Sequence, residues 1–216
     1  MIISHKHKYI FIHCHKCAGT TIEQQLNKSL GDSDIIVGST KQGEQLQKNS
    51  EKWSHWKHAT ADDISNNHNY AWQKYYKFAS VRNPYDRVVS WYFWWKTKWY
   101  KGSNKIKMIH IGSEVNKMTF DEYVKSIFTW QTSTLFNYHR LLFTDKFEID
   151  GIIRCENIQS DFDKVCNKLK IKKIQLPYRN ASKHKHYSNY YTDESAEIVY
   201  QQFKKDIEYF GYEFGN

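Results

Sequence analysis

The stretch Tyr9-Ile10-Phe11-Ile12-His13-Cys14-His15-Lys16-Cys17-Ala18-Gly19-Thr20-Thr21-Ile22-Glu23 decides how this chain folds. It opens on aromatic and β-branched apolar residues, which read as a buried strand. A loop follows that holds one Lys, one Gly and two Thr. Ile22 and Leu26 then lie four residues apart, on one face of a helix. Strand, polar loop and helix together aim free backbone N–H groups and a helix N-terminus at an anion. Lys16 adds a point charge, and Thr20 and Thr21 add hydroxyl donors. The stretch reads as a phosphate-type cradle, and the remaining chain is expected to complete it.

Working outward, 216 residues suffice for one domain with a proper core, so residues 1–216 are expected to form a single domain. Lys and Arg number 32 against 23 Asp and Glu, a formal net charge of +9. Such a surface favours anionic partners: nucleotides, acidic glycans, nucleic acid or membrane. No segment reaches the roughly 18 to 20 consecutive apolar residues of a membrane span. Met1 to Lys8 runs into the first strand without an apolar leader, so the expected location is cytoplasmic. Cys14 and Cys17 form a C-x-x-C, read here as two small residues flanking a tight loop rather than a redox pair. Cys155 and Cys166 read as reduced, buried residues at a strand end and on a helix face.

The second informative stretch is Tyr75 to Val81, a strand, followed by Arg82-Asn83-Pro84-Tyr85-Asp86-Arg87-Val88-Val89-Ser90. Asn83 suits a helix N-cap, Pro84 the first helical position, and Asp86 the first turn. The helix is expected to run to about Tyr100. Elsewhere, Gly31 is expected to cap the first helix and 34–38 to form a short strand. Residues 39–55 read as a surface loop and 102–116 as a polar connection. Thr60 with Asp63 predicts a capping box. Thr119 heads a helix over 120–128, and 130–145 should be helical in part. Residues 147–154 read as a strand and 159–170 as a helix. Thr192 caps a last helix that ends at Gly211. This alternation predicts an α/β fold with a mainly parallel sheet. Ligands bind beyond the carboxyl ends of such strands, so Lys16 and Arg82 should face one crevice.

The segment His15 to Thr21 resembles the 5′-phosphosulfate loop of carbohydrate sulfotransferases. Arg82 to Ser90 resembles their 3′-phosphate segment, with the Arg and the Ser eight residues apart. Gly151-Ile152-Ile153-Arg154-Cys155-Glu156-Asn157 and Leu176 to Ser182, with Tyr190-Tyr191-Thr192 and Phe210-Gly211-Tyr212, resemble later parts of the same family, in the expected order. The resemblance implies a three-layer, P-loop-like sulfotransferase fold with helices flanking a central sheet. It implies 3′-phosphoadenosine 5′-phosphosulfate as donor, adenosine 3′,5′-bisphosphate as product, and no metal. Lys16, Cys17, Ala18, Gly19, Thr20 and Thr21 would hold the phosphosulfate end, and Arg82 and Ser90 the 3′-phosphate. Apart from the resemblance, the basic run Lys183-His184-Lys185-His186 reads either as a solvated loop or, with Lys183 as the favoured residue, as one that folds over the donor or meets an acidic acceptor.

Lys16 would also stabilise the leaving oxygen, a catalytic role. A general base is wanted for the acceptor hydroxyl, and His titrates near the working pH. His58 is the first choice, because it falls where uronosyl-type relatives carry a His, and His55 is the second. The expected acceptor is a carbohydrate hydroxyl, on an acidic polysaccharide or glycolipid, and not nucleic acid. Three rival readings stand beside this one. A nucleotide kinase would want G-x-x-x-x-G-K-[ST], which is absent. Lys interleaved with aromatics over Trp94 to Lys101 could mark a single-strand nucleic-acid binder. A metal site built from His5, His7, His13, Cys14, His15 and Cys17 is opposed by strand alternation, which turns Cys14 away from His13 and His15.

Overall fold

Five strands form one sheet: β1 (Ile2–Ser4), β2 (Tyr9–Ile12), β3 (Ile35–Ile36), β4 (Tyr76–Val81) and β5 (Gly151–Arg154), in the order β3-β1-β2-β4-β5. This computed structural model describes residues 1–38, 40–49, 56–98, 106–129, 137–177 and 185–215. The sheet is mainly parallel, as the alternation predicts. β2, β4 and β5 run together, while β1 pairs antiparallel with both β2 and β3. Their helical partners in chain order are α1 (Gly19–Leu26), α2 (Lys41–Asn49), α3 (Ala61–Asn67), α4 (Asn69–Lys74), α5 (Pro84–Lys98), α6 (Ile106–Lys117), α7 (Phe120–Thr129), α8 (Tyr138–Leu142), α9 (Ile158–Leu169) and α10 (Asp193–Phe210). Among the described residues, no helix is long and apolar enough to cross a membrane.

The chain packs as two units, Met1–Arg82 with Tyr138–Arg179, and Asn83–Asn137 with Asn180–Asn216. In the first, the pleat sends Tyr9, Phe11, Phe78 and Ile153 to one face of the sheet. There they meet Ile22 and Leu26 of α1 and Phe162, Val165 and Cys166 of α9 in one core. On the other face Lys77 lies under α4, its Nζ 3.1 Å from the Trp72 carbonyl and 5.5 Å from the Trp72 ring centroid. In the second unit, Tyr85, Val88, Val89 and Tyr92 of α5 share a core with Phe120 and Tyr123 of α7 and Val199, Phe203 and Ile207 of α10. The α5 aromatics therefore serve this packing first, and Lys96 lies over the Tyr92 ring at 4.7 Å.

Several local signals hold. Asn83 caps α5 through its side-chain oxygen, which accepts from the Tyr85 N–H at 3.1 Å. Thr60 and Thr192 close capping boxes on α3 and α10, and Thr119 with Glu122 does the same on α7. Gly211 ends α10 in the left-handed region at φ 63°.

Other expectations need correction. Gly31 does not cap α1, which passes into a short 3₁₀ turn at Asn27–Ser29; the Gly31 N–H instead donates to Asp34. Residues 41–49 are helical rather than looped. Only Leu46 among them is apolar, so no stripe announces the helix. Helix-favouring Lys, Gln and Glu and the Thr40 hydroxyl, which accepts from the Gly43 N–H at 3.0 Å, account for it. The supposed polar connection over 102–116 is helical from Ile106. Met108, Ile111, Val115 and Met118 recur there at three- and four-residue steps, a period hidden by intervening Lys, Asn and Ser. The N-terminal residues also form β1, joined to β2 by a turn at His5 to Lys8, which the polar turn obscured.

Candidate functional site

The parallel strands β2, β4 and β5 all point their carboxyl ends one way, and the residues that follow them gather there. β2 releases the loop from His13 to Ala18. Arg82 follows β4, and Cys155 follows β5. Lys16 and Ala18 both sit in the left-handed region, at φ 61° and 56°, with Cys17 between them at negative φ. Each costs about 1–2 kcal/mol for a residue with a Cβ. Such alternation curls successive N–H groups toward one side, the form of an anion-binding nest. Ala18 also begins α1 with no side-chain cap, and the first turn carries no acidic residue. Lys16, Ala18 and Thr20 reach the surface, whereas Cys17, Gly19 and Thr21 are buried. Any grip those three have on an anion runs through the backbone.

Gly19 answers a different need from the loop flexibility its setting suggests. A Cβ there would lie 2.4 Å from His13 Cδ2, so the imidazole packs directly on the start of α1. His13 is buried at 4% exposure, with Nδ1 3.0 Å from Glu23 Oε1, close enough for an ion pair but off the line of a well-directed hydrogen bond. Burial pushes the His13 imidazole down to about 4, outweighing the pull of Glu23. Glu23 is itself fully buried and pairs with the Met1 ammonium. Burial alone would raise its carboxyl, but Met1 and His13 hold it below the usual carboxylate range. The Glu23 carboxylate is thereby paired internally.

His58 stands beside this group. Its Nδ1 is 2.7 Å from the His13 carbonyl, which can only accept, so Nδ1 carries the hydrogen and Nε2 the lone pair. The ring stacks on His15 at 3.6 Å between centroids and meets His13 edge-on at 4.7 Å. Burial, then the neighbouring His15 and His13, push its proton affinity far down. One pair of imidazoles is stacked and the other edge-to-face. Among the described residues no group of three or more His, Cys, Asp or Glu could hold a metal ion.

Two residues that sequence reasoning overlooked complete the geometry. Lys57 Nζ donates to Thr20 Oγ1 at 3.2 Å, bringing a second cation to the cradle; its place beside His58 was the available signal. Tyr138, fully buried, accepts from the Arg82 N–H and donates to the Arg82 carbonyl, each at 2.8 Å. Its oxygen also lies 3.2 Å from Cys17 Sγ. Nothing in the local pattern marks it. Arg82 Nη1 in turn reaches the Lys16 carbonyl at 3.5 Å. Lys16, Thr20, His58 and Arg82 therefore belong to the first unit. Ser90 belongs to the second, on α5, at 4% exposure. Arg87 is buried there with its guanidinium 5.2 Å from the Phe203 ring centroid. Lys183 and His55 lie outside the described residues.

These features define an α/β protein with a nest-shaped loop at the carboxyl edge of its parallel strands. The chain belongs to the sulfotransferase family, whose profile matches residues 1–213, and is thus a transferase of sulfuryl groups. No curated protein and no solved structure matches it.

Proposed function

We propose that this chain transfers a sulfuryl group from 3′-phosphoadenosine 5′-phosphosulfate to a carbohydrate hydroxyl by in-line displacement, with a cytoplasmic location and polysaccharide biosynthesis as its setting. The observation that carries the reading is the meeting of Lys16, the left-handed pair around Cys17 and the Arg82 side chain at one edge of the sheet. The donor set supports it: cations, hydroxyls and backbone N–H groups, with the nearby carboxylate of Glu23 buried and paired. The donor supplies the sulfuryl group and departs as adenosine 3′,5′-bisphosphate. Lys16 and Thr20 hold the phosphosulfate end, and Lys16 neutralises charge that grows on the leaving oxygen. Arg82 and, on sequence spacing, Ser90 take the 3′-phosphate. Lys183 is retained as a donor or acceptor contact on the sequence alone.

His58 is the proposed base. Its Nδ1–H is committed to the His13 carbonyl, so Nε2 accepts the proton from the acceptor hydroxyl. Its lowered proton affinity keeps the ring neutral beforehand, and an anion in the cradle raises that affinity toward a useful value. The acceptor we favour is an acidic polysaccharide or glycolipid, drawn by the net positive charge.

Radiolabelled donor and a panel of glycans test this. Label should pass to a glycan, and His58→Gln should lower transfer by about 10²-fold or more while keeping bisphosphate binding. Label confined to oligonucleotide or protein acceptors would overturn the carbohydrate assignment. Full turnover in His58→Gln would remove His58 as the base.

A further inference from the structure

The tight turn from Trp56 to Ala59 is closed by the Ala59 N–H, which donates to the Trp56 carbonyl at 3.0 Å. It brings two neighbouring side chains to the cradle. His58 goes to one side, with Nδ1 on the His13 carbonyl at 2.7 Å. Lys57 goes to the other, and its stem crosses Gly38. A Cβ on Gly38 would lie 2.6 Å from Lys57 Cδ and 2.8 Å from its Cγ. Gly38 stands two residues past β3 at φ +77°, in the region glycine enters at no steric cost. Bare backbone therefore makes a slot for the stem. The ammonium ends 3.2 Å from Thr20 Oγ1, in the first turn of α1. An ammonium can only donate, so the Thr20 oxygen accepts from it and keeps its own hydrogen for donation.

We propose that Lys57 is the residue that recognises the sulfonate of the donor, and that it sets a preference for the sulfated nucleotide over the bisphosphate product. This assignment rests on the donor reading above. The phosphosulfate end carries two formal negative charges, one on phosphate and one on sulfonate, and Lys16 and Lys57 match them in number. In-line displacement puts the base, the acceptor oxygen, the sulfur and the leaving oxygen in sequence. His58 serves the acceptor end of that line and Lys16 the leaving end. Lys57 issues from the same turn as His58, so its charge falls to the group between base and phosphate.

During transfer the acceptor oxygen bonds to sulfur while the bond from sulfur to the bridging oxygen breaks. That electron pair stays on the phosphate, beside Lys16, and the hydroxyl proton passes to His58 Nε2. Lys57 and the Thr20 hydroxyl hold non-bridging sulfonate oxygens and keep the sulfur on line. The product has lost its sulfonate and with it this contact, which favours exchange for fresh donor.

The experiment measures, by isothermal titration of the full chain without acceptor, the Kd of 3′-phosphoadenosine 5′-phosphosulfate and of adenosine 3′,5′-bisphosphate. Lys57→Met keeps the apolar stem in the Gly38 slot and removes the charge. It should weaken donor binding by about tenfold or more while leaving bisphosphate binding nearly unchanged. Lys57→Arg, which keeps the charge, should restore most of the donor preference, and Lys57→Gln provides the same test should the methionine variant misfold. A purely structural Lys57 would move both constants together, so an equal loss for the two nucleotides overturns the assignment, as does an unchanged donor Kd. Wild-type chain that binds neither nucleotide overturns the donor reading and this assignment with it, whereas normal wild-type binding with an equal loss in Lys57→Met overturns this assignment alone.

Discussion

The Tyr138 hydroxyl holds Arg82 from both sides of its peptide link, accepting from the N–H and donating to the carbonyl at 2.8 Å. Arg82 is the residue through which β4 presents its charge, so the phenol fixes where that charge stands. Tyr138→Phe leaves a buried N–H and carbonyl unsatisfied and should cost about 1–3 kcal/mol of stability. It should also weaken bisphosphate binding without removing the Arg82 charge. Urea denaturation beside a binding titration checks both, and unchanged values in each would show that Tyr138 merely fills space. His58 carries a parallel lesson, because its usable nitrogen is set by the main chain of His13 and not by another side chain. Lys16, Arg82 and His58 were legible in the sequence because charge and motif spacing mark them. Tyr138 was not, since it acts through hydrogen bonds to Arg82, 56 positions away, that no local pattern marks.

Elements show the same division. Helices with a plain apolar stripe, α7, α9 and α10, the first and last also headed by a capping Thr, are readable in one dimension, as is β4 running into Asn83-Pro84. α2 is not, because it carries no apolar stripe; what its sequence also hides is a close tertiary approach. A Cβ on Gly43 would meet the Gly38 carbonyl oxygen at 2.5 Å and the Ile36 oxygen at 2.8 Å. Gly43 therefore lets the helix lie on the backbone that leaves β3. Ala at this position would gain about 1 kcal/mol in helix propensity. The backbone collision should outweigh that, with overpacking costs of about 1–3 kcal/mol or more. Gly43→Ala is thus expected to lower the urea midpoint. A raised midpoint would mean that α2 does not seat against β3 as described. The β1–β2 hairpin was missed for a related reason. Its strands are short, and its turn carries His5, Lys6, His7 and Lys8 without a Gly or Asn to announce it.

Over the whole molecule, the buried His13 couples stability to pH. It is neutral in the fold, with its proton affinity pushed down to about 4, against about 6.5 for a free imidazole. Between those values the unfolded chain binds the extra proton, so stability is complete above about pH 6.5 and is lost as pH falls toward 4. The shift corresponds to roughly 3 kcal/mol at most. Burial and the neighbouring His15 and His13 move His58 in the same sense. Thermal melts from pH 7 to 4.5 should show a falling midpoint, with a flatter profile in His13→Gln; a native profile flat over that range contradicts a buried neutral His13. The net charge of +9 and the sulfotransferase family membership set the wider expectation of an anionic donor. On the proposed reading, the loop after β2 and the residue after β4 grip one such donor. Thermal-shift titration with adenosine 3′,5′-bisphosphate tests it most directly. The midpoint should climb with ligand concentration by mass action, and Lys16→Ala and Arg82→Ala should each shrink that climb. A flat titration of the native protein, or an undiminished one in both variants, would contradict it.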